Sequence, residues 1–143
     1  RDADQVWIIG AASFTVRATV KVGSRPFGVT LSEDGTRAFT ANVGSNDVTV
    51  IDVARASVIG NVTVGERPYE VALANGRAFV SDQYAATVSV FDTKNLAKLA
   101  TIAVDDYPEG IEAASDGRSV LVVNWESVGL AGLSGDSPDQ TLD

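Results

Sequence analysis

The chain repeats itself about every 41 residues, and few folds accept such a repeat. The segment Val20-Lys-Val22-Gly23-Ser-Arg25-Pro26-Phe27-Gly28-Val29-Thr-Leu31 returns as Val62-Thr-Val64-Gly65-Glu-Arg67-Pro68-Tyr69-Glu70-Val71-Ala-Leu73. A weaker copy runs Ile102-Ala-Val104-Asp105-Asp106-Tyr107-Pro108-Glu109-Gly110-Ile111. The three prolines lie 42 and 40 residues apart. A turn dipeptide follows each: Asp34-Gly35, Asn75-Gly76 and Asp116-Gly117, at spacings of 41 and 41. A third landmark, Val48 to Asp52, returns as Val88 to Asp92, with a faint earlier copy at Gln5 to Gly10.

Each unit reads as four short strands. In the first full unit, apolar runs predict strand A over 27–32, B over 37–41, C over 48–51 and D over 57–64. The A–B dipeptides predict two-residue type I′ hairpins, which need positive φ. The segments 54–56 and 95–100 have local helical character but are too short to count against four strands. One such sheet cannot bury both of its faces, so it must be stacked on the next. Four antiparallel strands per 40–45 residues predict the blade of a β-propeller, so the fold class is all-β.

The pattern V-x-V-G-x-x-P-x-x-V-x-L-S-x-D-G with a later A-N-x-x-S-N-x-V-x-V-I-D resembles the YVTN-type repeat family of β-propellers. It runs from Val20 to Asp52, with Ala41-Asn42 and Ser45-Asn46 in place. Residues 58–92 follow it with Ser81-Asp82 for the Ala-Asn pair, and residues 100–124 follow it more loosely with Val123-Asn124. The resemblance implies a bacterial or archaeal protein of the periplasm or cell surface.

The strands divide the chain into a half blade at 1–22, blades at 23–64 and 65–104, and a half blade at 105–127. That is about three blades' worth, whereas rings close with about four to eight. The expectation is a partial propeller completed by further blades, or half of a larger ring formed by self-association. Residues 128–143, rich in Gly, Ser, Pro and Asp, read as a tail or linker.

Composition removes most chemistries. The chain has neither His nor Cys, which excludes Ser–His catalysis, thiol nucleophiles and thiolate or imidazole metal sites within it. Eleven Lys and Arg stand against 19 Asp and Glu, a net charge of −8 that disfavours nucleic acid and anionic membrane surfaces. No apolar run is long enough to span a bilayer, so no membrane insertion is expected. Neither a catalytic residue, a metal ligand set nor a cofactor is expected. The sequon at Asn61 lies in a strand and reads as incidental.

Strand direction puts the D–A and B–C loops at one end of the blades, the mouth of the central channel. Candidate ligand or partner residues gather there: Arg25, Phe27, Arg67, Tyr69, Glu70, Gln83, Tyr84, Tyr107, Glu109, Trp125 and Glu126. The recurring Arg25 and Arg67 also suit a bracing role against Asp52 or Asp92. Asn42, Asp82 and Asn124 suit Asx bonds to loop amides. Glu70, Asp105, Asp106, Glu109, Glu112 and Glu126 form an acidic rim around the later blades. These readings point to a non-enzymatic scaffold holding a protein partner or a small ligand at the mouth. Two alternatives stand beside it: a non-catalytic propeller subunit of a quinoprotein or haem redox enzyme, and a surface-layer or adhesion module.

Overall fold

The structure, a computed structural model, describes residues 3–125. It is all-β, with twelve strands among the described residues. Strands β1 (Gln5–Ile9) and β2 (Val16–Lys21) form an antiparallel ribbon. Strands β3 (Pro26–Leu31), β4 (Arg37–Asn42), β5 (Asp47–Asp52) and β6 (Ser57–Thr63) form a four-stranded meander. Strands β7 (Pro68–Ala74), β8 (Arg77–Asp82), β9 (Thr87–Asp92) and β10 (Lys98–Ala103) form a second meander. Strands β11 (Pro108–Ala113) and β12 (Val120–Asn124) form the last ribbon. The locally helical 95–100 is a turn running into β10. These are the blades of a β-propeller.

The core lies between blades. Phe39, Val48 and Val50 of the first meander pack with Val71, Val80 and Phe91 of the second. Ala72, Val88 and Val90 pack with Ile111 of the last ribbon, and Val20 packs with Ala38 and Ile51. Middle strands β4 and β5 are therefore buried on both faces, whereas the outermost β10 is exposed throughout. Phe39 and Phe91 are fully buried, each worth about 1.5–3 kcal/mol of transfer free energy.

The innermost strands lie side by side at the axis. Thr30 Oγ1 of β3 donates to the Val71 carbonyl of β7 at 2.6 Å, and Ser81 Oγ of the neighbouring β8 to the Glu109 carbonyl of β11 at 2.7 Å. Gly28 permits this approach, because a Cβ there would lie 2.7 Å from the Tyr69 carbonyl oxygen. At the far end, Arg37 bonds across blades to the Thr93 carbonyl.

Of the three A–B connections, the two-residue type I′ form fits one. Ala74 pairs with Arg77 around Asn75 and Gly76, both at positive φ. At Asp34-Gly35 and Asp116-Gly117 only the glycine is left-handed. There the Gly35 amide donates to the Ser32 carbonyl at 2.8 Å and the Gly117 amide to that of Ala114 at 2.9 Å, making wider loops. Asp34 accepts from the Thr36 amide and from the Ser32 and Thr36 hydroxyls, which hold its carboxyl down to about 2.

The expected bracing of Arg25 and Arg67 on Asp52 or Asp92 is not what forms. Asp52 pairs with Arg55 at 3.0 Å, and Asp92 accepts from the Lys94 and Asn95 amides. Those amides, led by Arg55 for Asp52 and Asn95 for Asp92, hold both carboxyls below the ordinary range. Asn42 is buried and donates to the Asp47 and Thr49 side chains rather than serving loop amides.

Candidate binding site at the channel mouth

Each blade junction is tied by the same backbone bonds. The Val43, Gln83 and Trp125 amides donate to the carbonyls of Arg25, Arg67 and Tyr107 at 3.0, 2.9 and 2.9 Å. Each D–A loop is thereby bonded to the B–C loop of its own blade, and both loop sets share one end. The residue before each proline, namely Arg25, Arg67 and Tyr107, has φ of 55–56°. This left-handed turn is uncommon for a side-chain-bearing residue. It is held by neighbours: the Arg25 amide donates to Asp4 Oδ1 at 2.8 Å and the Arg67 amide to Asn46 Oδ1 at 2.9 Å.

The third junction gathers most of the expected site. Arg67 Nη1 donates to the Tyr84 hydroxyl at 2.9 Å, and its guanidinium lies 4.6 Å from the Tyr84 ring centre. Tyr84 meets Tyr107 edge to face at 6.0 Å. Gln83 is 6% exposed, and its Nε2 donates to Glu109 Oε1. Phe27 and Tyr69, equivalent residues of adjacent inner strands, stack at 4.2 Å between ring centres. The Glu70 carboxylate accepts from the Ile111 amide at 3.2 Å, so this member of the acidic rim binds strands together.

Two buried polar atoms in this cluster have no hydrogen-bond partner: Arg67 Nε, a donor, and Gln83 Oε1, an acceptor. Leaving such groups unpaired costs about 1–3 kcal/mol each, so they mark a place where a ligand atom or water is wanted. Arg25 stands apart, its side chain running over Gly44 where the next blade has Tyr84. Trp125 is 59% exposed, and Glu126 with the 128–143 tail lies outside the described residues.

Asp82, expected to serve loop amides, lies beneath the mouth and is bonded by hydroxyls instead. Asp82 is fully buried; its Oδ2 accepts from Thr87 at 2.9 Å and Ser89 at 2.6 Å, while Oδ1 has no partner. Burial pushes its carboxyl above the ordinary range. Asn42 fills the same place in the preceding blade, which is the repeat's own signal that the position is structural.

A cavity of about 950 Å³ opens along the inner strands toward the A–B turns at the opposite end. Several of its polar side chains are already bonded within the chain, Arg37 to Thr93, Asp34 to Ser32 and Thr36, and Glu70 to Ile111. Among the described residues no cluster of acidic side chains has the geometry of a metal site.

No protein-family model matches the chain, and no curated protein matches it. Solved structures do. Hydrazine synthase of Kuenenia stuttgartiensis superposes with a TM-score of 0.82 over 88% of this chain and 37% of that one, at 24% identity. Dihydro-heme d1 dehydrogenase NirN, solved in complex with DHE, gives 0.74 over 84% and 28%, at 18% identity. AztD of Citrobacter koseri gives 0.68 over 87% and 34%, at 17% identity. The chain thus spans about a third of the length of these proteins, and what it shares with them is the propeller fold.

Proposed function

We propose that this chain is a non-enzymatic propeller scaffold of the YVTN type, periplasmic or extracellular, that binds a ligand or partner segment at the channel mouth. The observation that carries this reading is the pair of unpartnered buried atoms, Arg67 Nε and Gln83 Oε1, beside the Tyr84–Tyr107 pair. A donor and an acceptor next to aromatic faces suit a group with both an oxygen and an N–H, as in an amino acid or peptide. In the groove at the opposite end Arg37, Asp34 and Glu70 are already bonded within the chain, so these groups are not free for a ligand.

Amide NMR of the labelled chain, titrated with free amino acids and short peptides, tests the reading. Shifts concentrated on Arg67, Gln83, Tyr84 and Tyr107, and lost in Gln83→Leu, are expected. Shifts concentrated on Thr30, Arg37 and Glu112 would move the site to the groove. No shifts at millimolar ligand would remove the binding role.

A second reading is favoured by the names of two similar structures, hydrazine synthase and dihydro-heme d1 dehydrogenase. In it the chain is the non-catalytic propeller portion of a redox enzyme. With neither His nor Cys, these residues would hold no haem by imidazole or thiolate. Co-purification separates the two readings: a coloured, redox-active partner that comes down with the chain supports the second.

A further inference from the structure

We propose that two copies of this chain close into a single six-bladed ring, β12 of each pairing along the open edge of β1 in the other. Among the described residues the two ribbons at the ends are complementary halves of one blade. β11 and β12 are strands A and B, because Pro108 pairs with Asn124 as Pro26 pairs with Asn42 and Pro68 with Asp82. β1 and β2 are strands C and D, because Gln5 pairs with Lys21 as Asp47 pairs with Thr63 and Thr87 with Ala103.

The two complete blades set the register of the missing contact. Asn42 lies opposite Asp47 and Ala38 opposite Ile51; Asp82 lies opposite Thr87 and Ala78 opposite Phe91. Carried over, Asn124 faces Gln5, Val122 faces Trp7 and Val120 faces Ile9 of the second copy. Both edges expose free backbone groups and long apolar side chains, a liability that pairing removes.

A second surface continues the interfaces already formed. In filled junctions the third inner-strand position after proline is covered: Val71 is 4% and Ile111 5% exposed, yet Val29 is 59% exposed. The reciprocal face behaves alike, with Ala41 and Ser81 fully buried but the equivalent Val123 64% exposed. Phe27, Val29 and Leu31 of one copy therefore present the surface on which Leu121, Val123 and Trp125 of the other would pack. Gln83 touches Glu109 of the next blade, and the same step brings Trp125 to Phe27 of the second copy.

Charge agrees. The described first ribbon and its following loop carry Arg17, Lys21 and Arg25 against Asp4. The segment 105–125 carries five carboxylates against Arg118. A basic half thus meets an acidic half, which favours the cross-copy blade over pairing of like halves. The contact is made twice by a two-fold axis and leaves no open edge, and six blades fall in the range that closes.

Sedimentation equilibrium of the 143-residue chain should give twice 14.9 kDa at tens of micromolar. Phe27→Cys and Trp125→Cys, introduced singly in a chain free of native cysteine, should be joined by a short bis-maleimide only when the two variants are mixed. Val123→Lys alters a side chain exposed in one copy, so it should keep the β-sheet circular dichroism while the dimer fraction falls about tenfold or more. A monomer at those concentrations would overturn the proposal, since the edges would then be capped within the chain or left bare. So would a ladder of higher oligomers, or equal cross-linking of each variant to itself.

Discussion

The Ser89 hydroxyl donates to Asp82 Oδ2 at 2.6 Å inside a blade that water does not reach, so a carboxylate is solvated there by two hydroxyls alone. Burial outweighs those bonds and raises the Asp82 pKa. The native state therefore holds its proton to higher pH than the unfolded chain, and stability from this group is fully present below the unfolded pKa. It is lost as pH rises through the native value. Asp82→Asn should remove that loss, because Asn42 already fills the equivalent position with its amide donating to Thr49. The variant should gain about 1 kcal/mol at pH 7 and show a flatter stability profile between mildly acid and neutral pH, measured by urea denaturation at several pH values. A variant less stable at pH 7 by more than that amount would mean the ionised form is the one the blade prefers.

Gly28 and Gly110 hold one repeat position but should respond unequally to alanine. A Cβ at Gly28 meets the Tyr69 carbonyl oxygen at 2.7 Å and the Glu70 Cα at 3.3 Å, so two backbones must part. At Gly110 the nearest atoms are side-chain carbons of Val123 at 3.8 Å, an ordinary contact. Gly28→Ala should cost about 1–3 kcal/mol, and Gly110→Ala less than about 0.5 kcal/mol, read from thermal or urea melts. Equal costs would show that the inner strands are not packed at the distance seen between β3 and β7.

Glu70 stands where the neighbouring blades have these glycines, and its carboxylate takes the Ile111 amide. Glu70→Ala should leave that amide unpaired and destabilise by about 1–3 kcal/mol, while Glu70→Gln, which keeps an acceptor oxygen, should recover most of the loss. Hydrogen exchange at Ile111 reports the bond directly: protection should fall in the alanine variant and persist in the glutamine one.

The blades were legible because alternation, turn dipeptides and the prolines each repeat with the same period, and burial between stacked sheets demands that alternation. Strand ends shifted by a residue or two, as for β3, which begins at Pro26 rather than 27. What stayed hidden depends on long-range partners. Nothing local to Arg67 tells that it reaches Tyr84 rather than Asp92, since Tyr84 lies 17 positions further along the chain. The left-handed φ at Arg25, Arg67 and Tyr107 carries no glycine to announce it; what the three share is a carbonyl that accepts from the Val43, Gln83 or Trp125 amide of the B–C loop. The dipeptides Asp34-Gly35 and Asn75-Gly76 look alike in sequence, yet the first sits in a wider loop whose Ser32 and Thr36 hydroxyls bond the aspartate instead of letting it turn left-handed.

The repeat also exposes a missing bond. Asp4 and Asn46 accept from the Arg25 and Arg67 amides, tying each B–C loop to the next D–A loop. The third member of the series is Ala86, which has no acceptor to offer the Tyr107 amide. Its backbone already has the required left-handed φ of 52°, close to the 56° of Asn46. Asparagine tolerates that conformation better than alanine and would bring the acceptor. Ala86→Asn should therefore stabilise the chain by about 1 kcal/mol and slow exchange of the Tyr107 amide. Ala86→Val, which adds a branched Cβ at positive φ and no acceptor, should destabilise by at least as much. If asparagine and valine shifted the melting temperature in the same direction, the loop-to-loop bond would not be what holds the third junction.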